Sequence, residues 1–313
     1  MKPTPLGSLL DCSPSGGCVE KARALRALGC ESYEPAFWQT DGGRDLGELA
    51  ETLAAAMAGP PSSIGVYGNP LADDEAGRET RRTLGTLIEA APRFGSPLVS
   101  CFAGRVPGAS VADSLDRWES LFGRLADRAS ALGVAIAFEN CRLGDTWRTG
   151  RWNIAINPDA WELMFAALPG APIGLEWEPS HQVLGLADPI AQLKVWAPRV
   201  LHVHAKDAVV EREVLALRGA HGATKFGREC LAGFGDTDWS AVFRVLALAG
   251  YGGSVDIEIG AVEPYHGGRE LEGVELALGR LRSARSTLGS LAAADPAPAG
   301  TPATLPPAGP TRP

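Results

Sequence analysis

Eight short apolar, β-prone runs recur along this chain, each followed by a stretch of helical periodicity, and that alternation leaves few folds open. The runs are Pro5–Leu10, Glu31–Phe37, Ser63–Tyr67, Pro97–Phe102, Val134–Glu139, Pro172–Trp177, Val200–His204 and Gly253–Ile259. Strands apolar along their length are buried on both faces, so a parallel sheet covered by helices is expected. Eight βα units in succession close an α/β (β/α)8 TIM barrel of about 250 residues. The rival, a doubly wound open sheet, would carry a GxGxxG turn after its first strand, and none is present here.

The helical stretches carry their own punctuation. Val19–Leu28 stops at Gly29, and Leu46–Met57 at Gly59-Pro60. Asp74–Phe94 and Ser110–Leu132 place apolar residues three and four apart, the second with Leu115, Trp118, Leu121, Phe122 and Leu125. Asn157-Pro158 and Asp188-Pro189 each read as an N-cap followed by a first-turn proline. Asp238–Ala249 and Glu270–Leu288 complete the set. One domain over residues 1–289 is expected, followed by an Ala- and Pro-rich tail, 290–313, too poor in large apolar residues to fold and expected to be disordered.

The net charge of −8 argues against a general nucleic-acid binder, which shows a basic face. No apolar run reaches the roughly 18 residues of a membrane span, and the first residues lack a secretory h-region. The six cysteines (Cys12, Cys18, Cys30, Cys101, Cys141, Cys230) form no CxxC pair, and read as reduced, buried fillers of a cytoplasmic protein.

Chemistry concentrates where the last four strand-like runs stop: Phe138-Glu139-Asn140, Trp177 to His181, His202 to Asp207, and Asp256 to Gly260. In a (β/α)8 barrel, active-site groups project from the C-terminal ends of the strands. His202 and His204 share a face because strand side chains alternate. Singly, each residue has a bland reading: a solvated glutamate, a satisfied core histidine, an adjacent Lys206–Asp207 ion pair. His221 and His266 sit in loop-like segments and keep that reading. Jointly, several carboxylates aimed at one buried mouth need a cation. Carboxylates mixed with imidazole suit Mn²⁺ first, and accommodate Mg²⁺, Co²⁺ or Zn²⁺.

These motifs resemble those of the xylose isomerase-like sugar phosphate isomerase/epimerase superfamily, the AP endonuclease family 2 type of TIM barrel. The resemblance runs from about Pro5 to Leu288. It includes Gly233 to Trp239, similar to a PGxGxxDW turn, and Gly250-Tyr251-Gly252-Gly253 before the last strand. It implies one divalent metal ion per chain, held by Glu139, Glu178, His204 and Glu258. Glu139 and Glu258 would also exchange protons with substrate carbon, through an enediolate formed next to a carbonyl. His181, His202, Lys206, Arg228 and Asn140 would bind substrate or line its floor. The family usually carries Asp where this chain has Glu178, a carboxylate longer by roughly 1.5 Å. It also carries Arg just before the seventh-loop Pro-Gly; here Cys230-Leu231-Ala232-Gly233 occupies that place, with Arg228 nearby.

The implied function is a sugar or keto-polyol isomerase/epimerase with a small carbohydrate partner, no nucleic acid and no membrane. The scaffold also allows a homodimer. The alternatives are a lyase or dehydratase using the same metal, a non-catalytic barrel, and an apurinic endonuclease. The last is disfavoured because the chain has five histidines, none before His181. The long seventh loop, Ala208–Gly235, is expected to cover the mouth, and the loop Cys141–Asn153 with Arg142, Arg148 and Arg151 to close over it.

Overall fold

The computed structural model of the chain describes residues 3–13 and 17–291. Strands β1 (Leu6–Asp11), β2 (Ser32–Trp38), β3 (Ile64–Tyr67), β4 (Leu98–Cys101), β5 (Ala135–Glu139), β6 (Ile173–Trp177) and β7 (Val200–Val210) pair in parallel order. A short strand, β9 (Val255–Ile257), lies between β7 and β1 and closes the barrel. A ninth strand, β8 (Gly227–Leu231), pairs antiparallel with the outer half of β7, Lys206 facing Leu231 and Val210 facing Gly227.

Helices α1 (Cys18–Ala27), α2 (Leu46–Met57), α3 (Glu75–Phe94), α4 (Val111–Ala131), α5 (Pro158–Ala167), α6 (Pro179–Leu184), α7 (Pro189–Trp196), α8 (Arg212–Arg218), α9 (Trp239–Leu248) and α10 (Glu270–Leu291) cover the sheet. Side chains of Asp45, Asp74, Ser110, Asn157, Asp188 and Asp238 accept hydrogen bonds from first-turn amides of α2, α3, α4, α5, α7 and α9. Each such cap stabilises its helix by about 1 kcal/mol.

Alternation along the strands separates two environments. Leu10, Val66, Val99, Phe138, Leu175 and Ile257 point outward, into one apolar core shared with the helices. The inward positions are polar: Glu34, Glu176, His202, His204 and Asp256 are each about 1% exposed or less. Small residues make room for them. A Cβ on Gly65 would collide with the Glu34 carboxylate and the Tyr67 ring, and one on Gly7 with Ser32 and Asp256.

Two expectations need correction. The seventh strand runs on to Val210, so residues 208–235 are not an open loop but a β-ribbon with α8. Val183, Ala208 and Val210 bury together there, with Leu184, Leu215 and Phe226 against them. The eighth barrel strand is shorter than its apolar run, and Glu258 lies just past its end. The segment Cys141–Asn153 is fastened down: Asp145 accepts from the amides of Arg151, Trp152 and Asn153, while buried Arg105 donates to Thr146 and Trp147 carbonyls. Arg148 and Arg151 point to solvent. The 290–313 segment lies outside the described residues except for its first two positions, where α10 continues.

Candidate metal centre

Four side chains meet at the C-terminal mouth. Glu139 is the last residue of β5, Glu178 follows β6, His204 lies in β7 and Glu258 follows β9. One donor atom from each falls within 4.8 Å of the others. His204 Nδ1 is 3.1 Å from Glu139 Oε1 and 3.4 Å from Glu258 Oε2. Glu178 Oε2 and Glu258 Oε2 are buried and have no hydrogen-bond partner, and neither has His181 Nε2, 3.4 Å from Glu178. Buried polar atoms are normally partnered. Two orphaned carboxylate oxygens converging with an imidazole are therefore a fit for a divalent cation, and the longer Glu178 still reaches the group.

The scaffold holds these ends in place. Asn140 Oδ1 accepts from the Glu178 amide at 2.7 Å, and its Nδ2 donates to the Glu178 carbonyl at 2.8 Å, clamping β5 to β6. Ser180 Oγ donates to Glu178 Oε1. Lys206 Nζ lies 2.9 Å from Glu258, 3.5 Å from Glu229 and 3.9 Å from Glu178. Burial opposes charge on Lys206, but Glu178, Glu258 and Glu229 overcome it and raise its pKa well above the usual lysine value. Burial, with Glu258 and Glu178 adding, pushes the Glu139 carboxyl well above the usual range against the pull of His204. Asp207 faces the other way: it accepts from Gly233, Gly235 and Thr237 amides and the Trp239 indole, fastening the loop before α9.

Directly beneath lies a second polar layer. His202 Nδ1 is 2.8 Å from Glu176 and its Nε2 is 2.9 Å from Asp256. Tyr67 donates to Glu34 at 2.6 Å and lies 2.8 Å from Glu176. Ser32 and Ser62 donate to Asp256. Burial opposes charge on His202, but Glu34, Asp256 and Glu176 outweigh it and lift the imidazole to about 10. Glu34, Glu176, His202 and His204 also cluster closely enough to hold a metal. None of their atoms is orphaned, however, so this layer satisfies its own hydrogen bonds. His204 joins the layers: Nδ1 faces the upper carboxylates, while Nε2 lies 2.9 Å from Glu34 and 3.1 Å from Glu176.

Above the centre opens a cavity of about 400 Å³. Glu139, His181, His204, Lys206, Glu229 and Glu258 form its polar side; Phe37, Trp38, Tyr67, Phe102 and Leu143 form an apolar wall. Of the residues the resemblance points to, Glu139, Glu178, His181, His204, Lys206 and Glu258 are brought together. Asn140 and His202 are buried behind them and do not line the cavity. Arg228 is a correction: on β8 it points to solvent, 4.0 Å from Glu211, and alternation turns its neighbour Glu229 inward instead.

Glu34, Glu176 and Asp256 were not anticipated as site residues. The signal was available as spacing: Glu176/Glu178, His202/His204 and Asp256/Glu258 are pairs two apart, and period two puts both members on the inner face. Glu34 had a weaker signal, a carboxylate in the middle of an otherwise buried strand.

Comparison with known proteins agrees with this architecture. The solved structure of a xylose isomerase domain protein from Planctomyces limnophilus superposes with a TM-score of 0.69 at 17% identity, covering 91% of this chain and 99% of the other. An L-ribulose 3-epimerase gives 0.65 at 16%, covering 93% and 100%. The 3-keto-D-glucoside 4-epimerase YcjR from E. coli gives 0.63 at 15%, covering 90% and 99%. In sequence, the chain is 26% identical over 229 residues to the uncharacterized protein YfiH of Bacillus subtilis (strain 168), spanning 63% of this chain and 70% of that one. Residues 22–284 match the profile of the xylose isomerase-like TIM barrel, and the chain belongs to that family.

Proposed function

We propose that the protein is a divalent-metal-dependent isomerase or epimerase of a sugar or keto-polyol, acting by proton transfer at the carbon next to a carbonyl. The observation that carries this reading is the pair of orphaned buried oxygens, Glu178 Oε2 and Glu258 Oε2, beside His204 and Glu139. Glu139, Glu178, His204 and Glu258 would hold the metal, with Mn²⁺ matching the donor set best. A metal there supplies Lewis-acid polarisation of a carbonyl and neutralises negative charge developing on oxygen. Glu139 and Glu258 would remove and return the proton, reaching it from β5 and β9 on separate sides of the mouth. His181 and Lys206 line the same cavity and would hold substrate oxygens.

The solved proteins that share the fold include an L-ribulose 3-epimerase, a D-allulose 3-epimerase and a 3-keto-D-glucoside 4-epimerase, which supports this substrate class. Lys206 is balanced by Glu258 and Glu229, and among the described residues no arginine lines the cavity. That favours an uncharged polyol over a phosphate ester. The domain reading, a barrel over 1–289, accommodates the whole site.

The test is incubation with a panel of ketoses, aldoses and keto-glucosides in heavy water with Mn²⁺. Deuterium is expected at the carbon next to the carbonyl, abolished by chelator and reduced at least about 100-fold in Glu258→Gln. Growth of an enone absorbance without stereochemical inversion would replace this reading with a lyase. Absence of exchange or elimination across the panel would overturn it.

A further inference from the structure

His181 borders two cavities, the one above the metal centre and a second of about 600 Å³. Three elements wall the second. Gln182 comes from α6, Gln192 from α7, and Arg142 and Trp147 from the fastened segment before α5; none of these four lines the first cavity. Gln182 is 3% exposed, and its Nε2 is buried with no hydrogen-bond partner among the described residues. Gln192 Oε1 is buried and unpartnered in the same way. Buried polar atoms are normally paired, and leaving one unpaired destabilises the fold. An apolar side chain of similar length at either position would avoid that penalty. Trp147 is partly buried against the apolar core, and Arg105 and the Val111 amide both donate to its carbonyl, which fixes its place in the wall.

The complement of this lining both donates and accepts hydrogen bonds and carries an apolar face. A carboxylate or a fully ionised phosphate ester would answer Gln182 Nε2 and Arg142, but it has no proton to give Gln192 Oε1. A hydroxyl serves as donor and as acceptor, and a sugar ring adds a C–H face for the Trp147 ring. Water can pair the same atoms, but each molecule takes only about 30 Å³, so the cavity has room for a ring of hydroxyls.

We propose that this cavity is a second sugar-binding site, taking a neutral polyhydroxy ring on the Gln182, Gln192 and Trp147 side of His181. The ring arrives either as the non-reacting unit of a glycoside that extends past His181 or as a separate sugar; both present the same hydroxyls. The site stands on these side chains alone and does not depend on the metal.

The test is calorimetric titration of metal-stripped full-length protein with methyl α-D-glucopyranoside and with trehalose, neither of which has a free carbonyl. Saturable binding is expected, weakened at least about tenfold in Gln192→Ala and in Gln182→Met, and inorganic phosphate should not compete. Gln182→Met should also be at least as stable to denaturant as the wild type, because it removes an unpaired buried group; a glutamine kept for packing would show the opposite. Trehalose binding weakened by both Gln192→Ala and Trp38→Ala would identify one molecule spanning the two cavities, and weakening by Gln192→Ala alone a separately held sugar. No saturable binding of either sugar, binding indifferent to both glutamine substitutions, displacement by phosphate, or a destabilised Gln182→Met would each overturn the proposal. No turnover is read and no metal is present, so a failure here leaves the isomerase reading standing, and a failure of deuterium exchange leaves this site standing.

Discussion

Both ring nitrogens of His204 are committed, and that fixes what the residue can do. Nδ1 faces Glu139 and Glu258, while Nε2 faces Glu34 and Glu176. A carboxylate behind a ligating imidazole sets its orientation and raises its basicity. Glu34→Gln is therefore expected to weaken Mn²⁺ binding by about 10–100-fold, read by calorimetric titration; unchanged affinity would separate the lower layer from the metal centre. Gly65 makes the same point through space. Gly65→Ala should destabilise the fold by about 1–3 kcal/mol, seen as a lower denaturant midpoint, because the added carbon meets Glu34 and Tyr67. At this scale the sequence was informative for His204 and the outer carboxylates, where charge stands at the end of an apolar run. Glu34 was hidden because its partners, Tyr67 and His204, are 33 and 170 residues away.

Elements were legible where local chemistry decides them. Asparagine or aspartate before proline marked α5 and α7, because a cap needs only its own first turn. The β7–β8 ribbon was missed because its pairing is long-range: Val209 and Val210 extend β7 only once Gly227 and Arg228 lie beside them. That ribbon is also why Glu229, not Arg228, faces the cavity. The β5–β6 clamp is another tertiary device. Asn140→Ala would leave the buried Glu178 amide without its Asn140 partner, at about 1–3 kcal/mol. Chemical denaturation should register that loss, and Mn²⁺ affinity should fall with it as the Glu178 end loosens. A variant as stable as wild type would show that the clamp is dispensable.

For the molecule as a whole, a barrel built of eight βα units has a lumen that is polar in its upper half, and the fold tolerates this because the lower layer satisfies its own hydrogen bonds. The upper layer does not. If a cation completes it, metal and stability are coupled: Mn²⁺ at 100 times its dissociation constant should add about 2.7 kcal/mol to unfolding, and a chelator should remove that increment in a melting experiment. Barrel closure was readable from the count and periodicity of the runs. The division of the lumen into a satisfied and an unsatisfied layer was not, since it depends on which oxygen of each carboxylate finds a donor. The most direct measurement is calorimetric titration of metal-stripped protein with Mn²⁺, run beside Glu178→Ala and His204→Ala. One ion per chain in the wild type, lost or strongly weakened in both variants, is the result expected. No binding in the wild type, or binding left intact by both substitutions, would contradict the assignment of these residues to a metal centre.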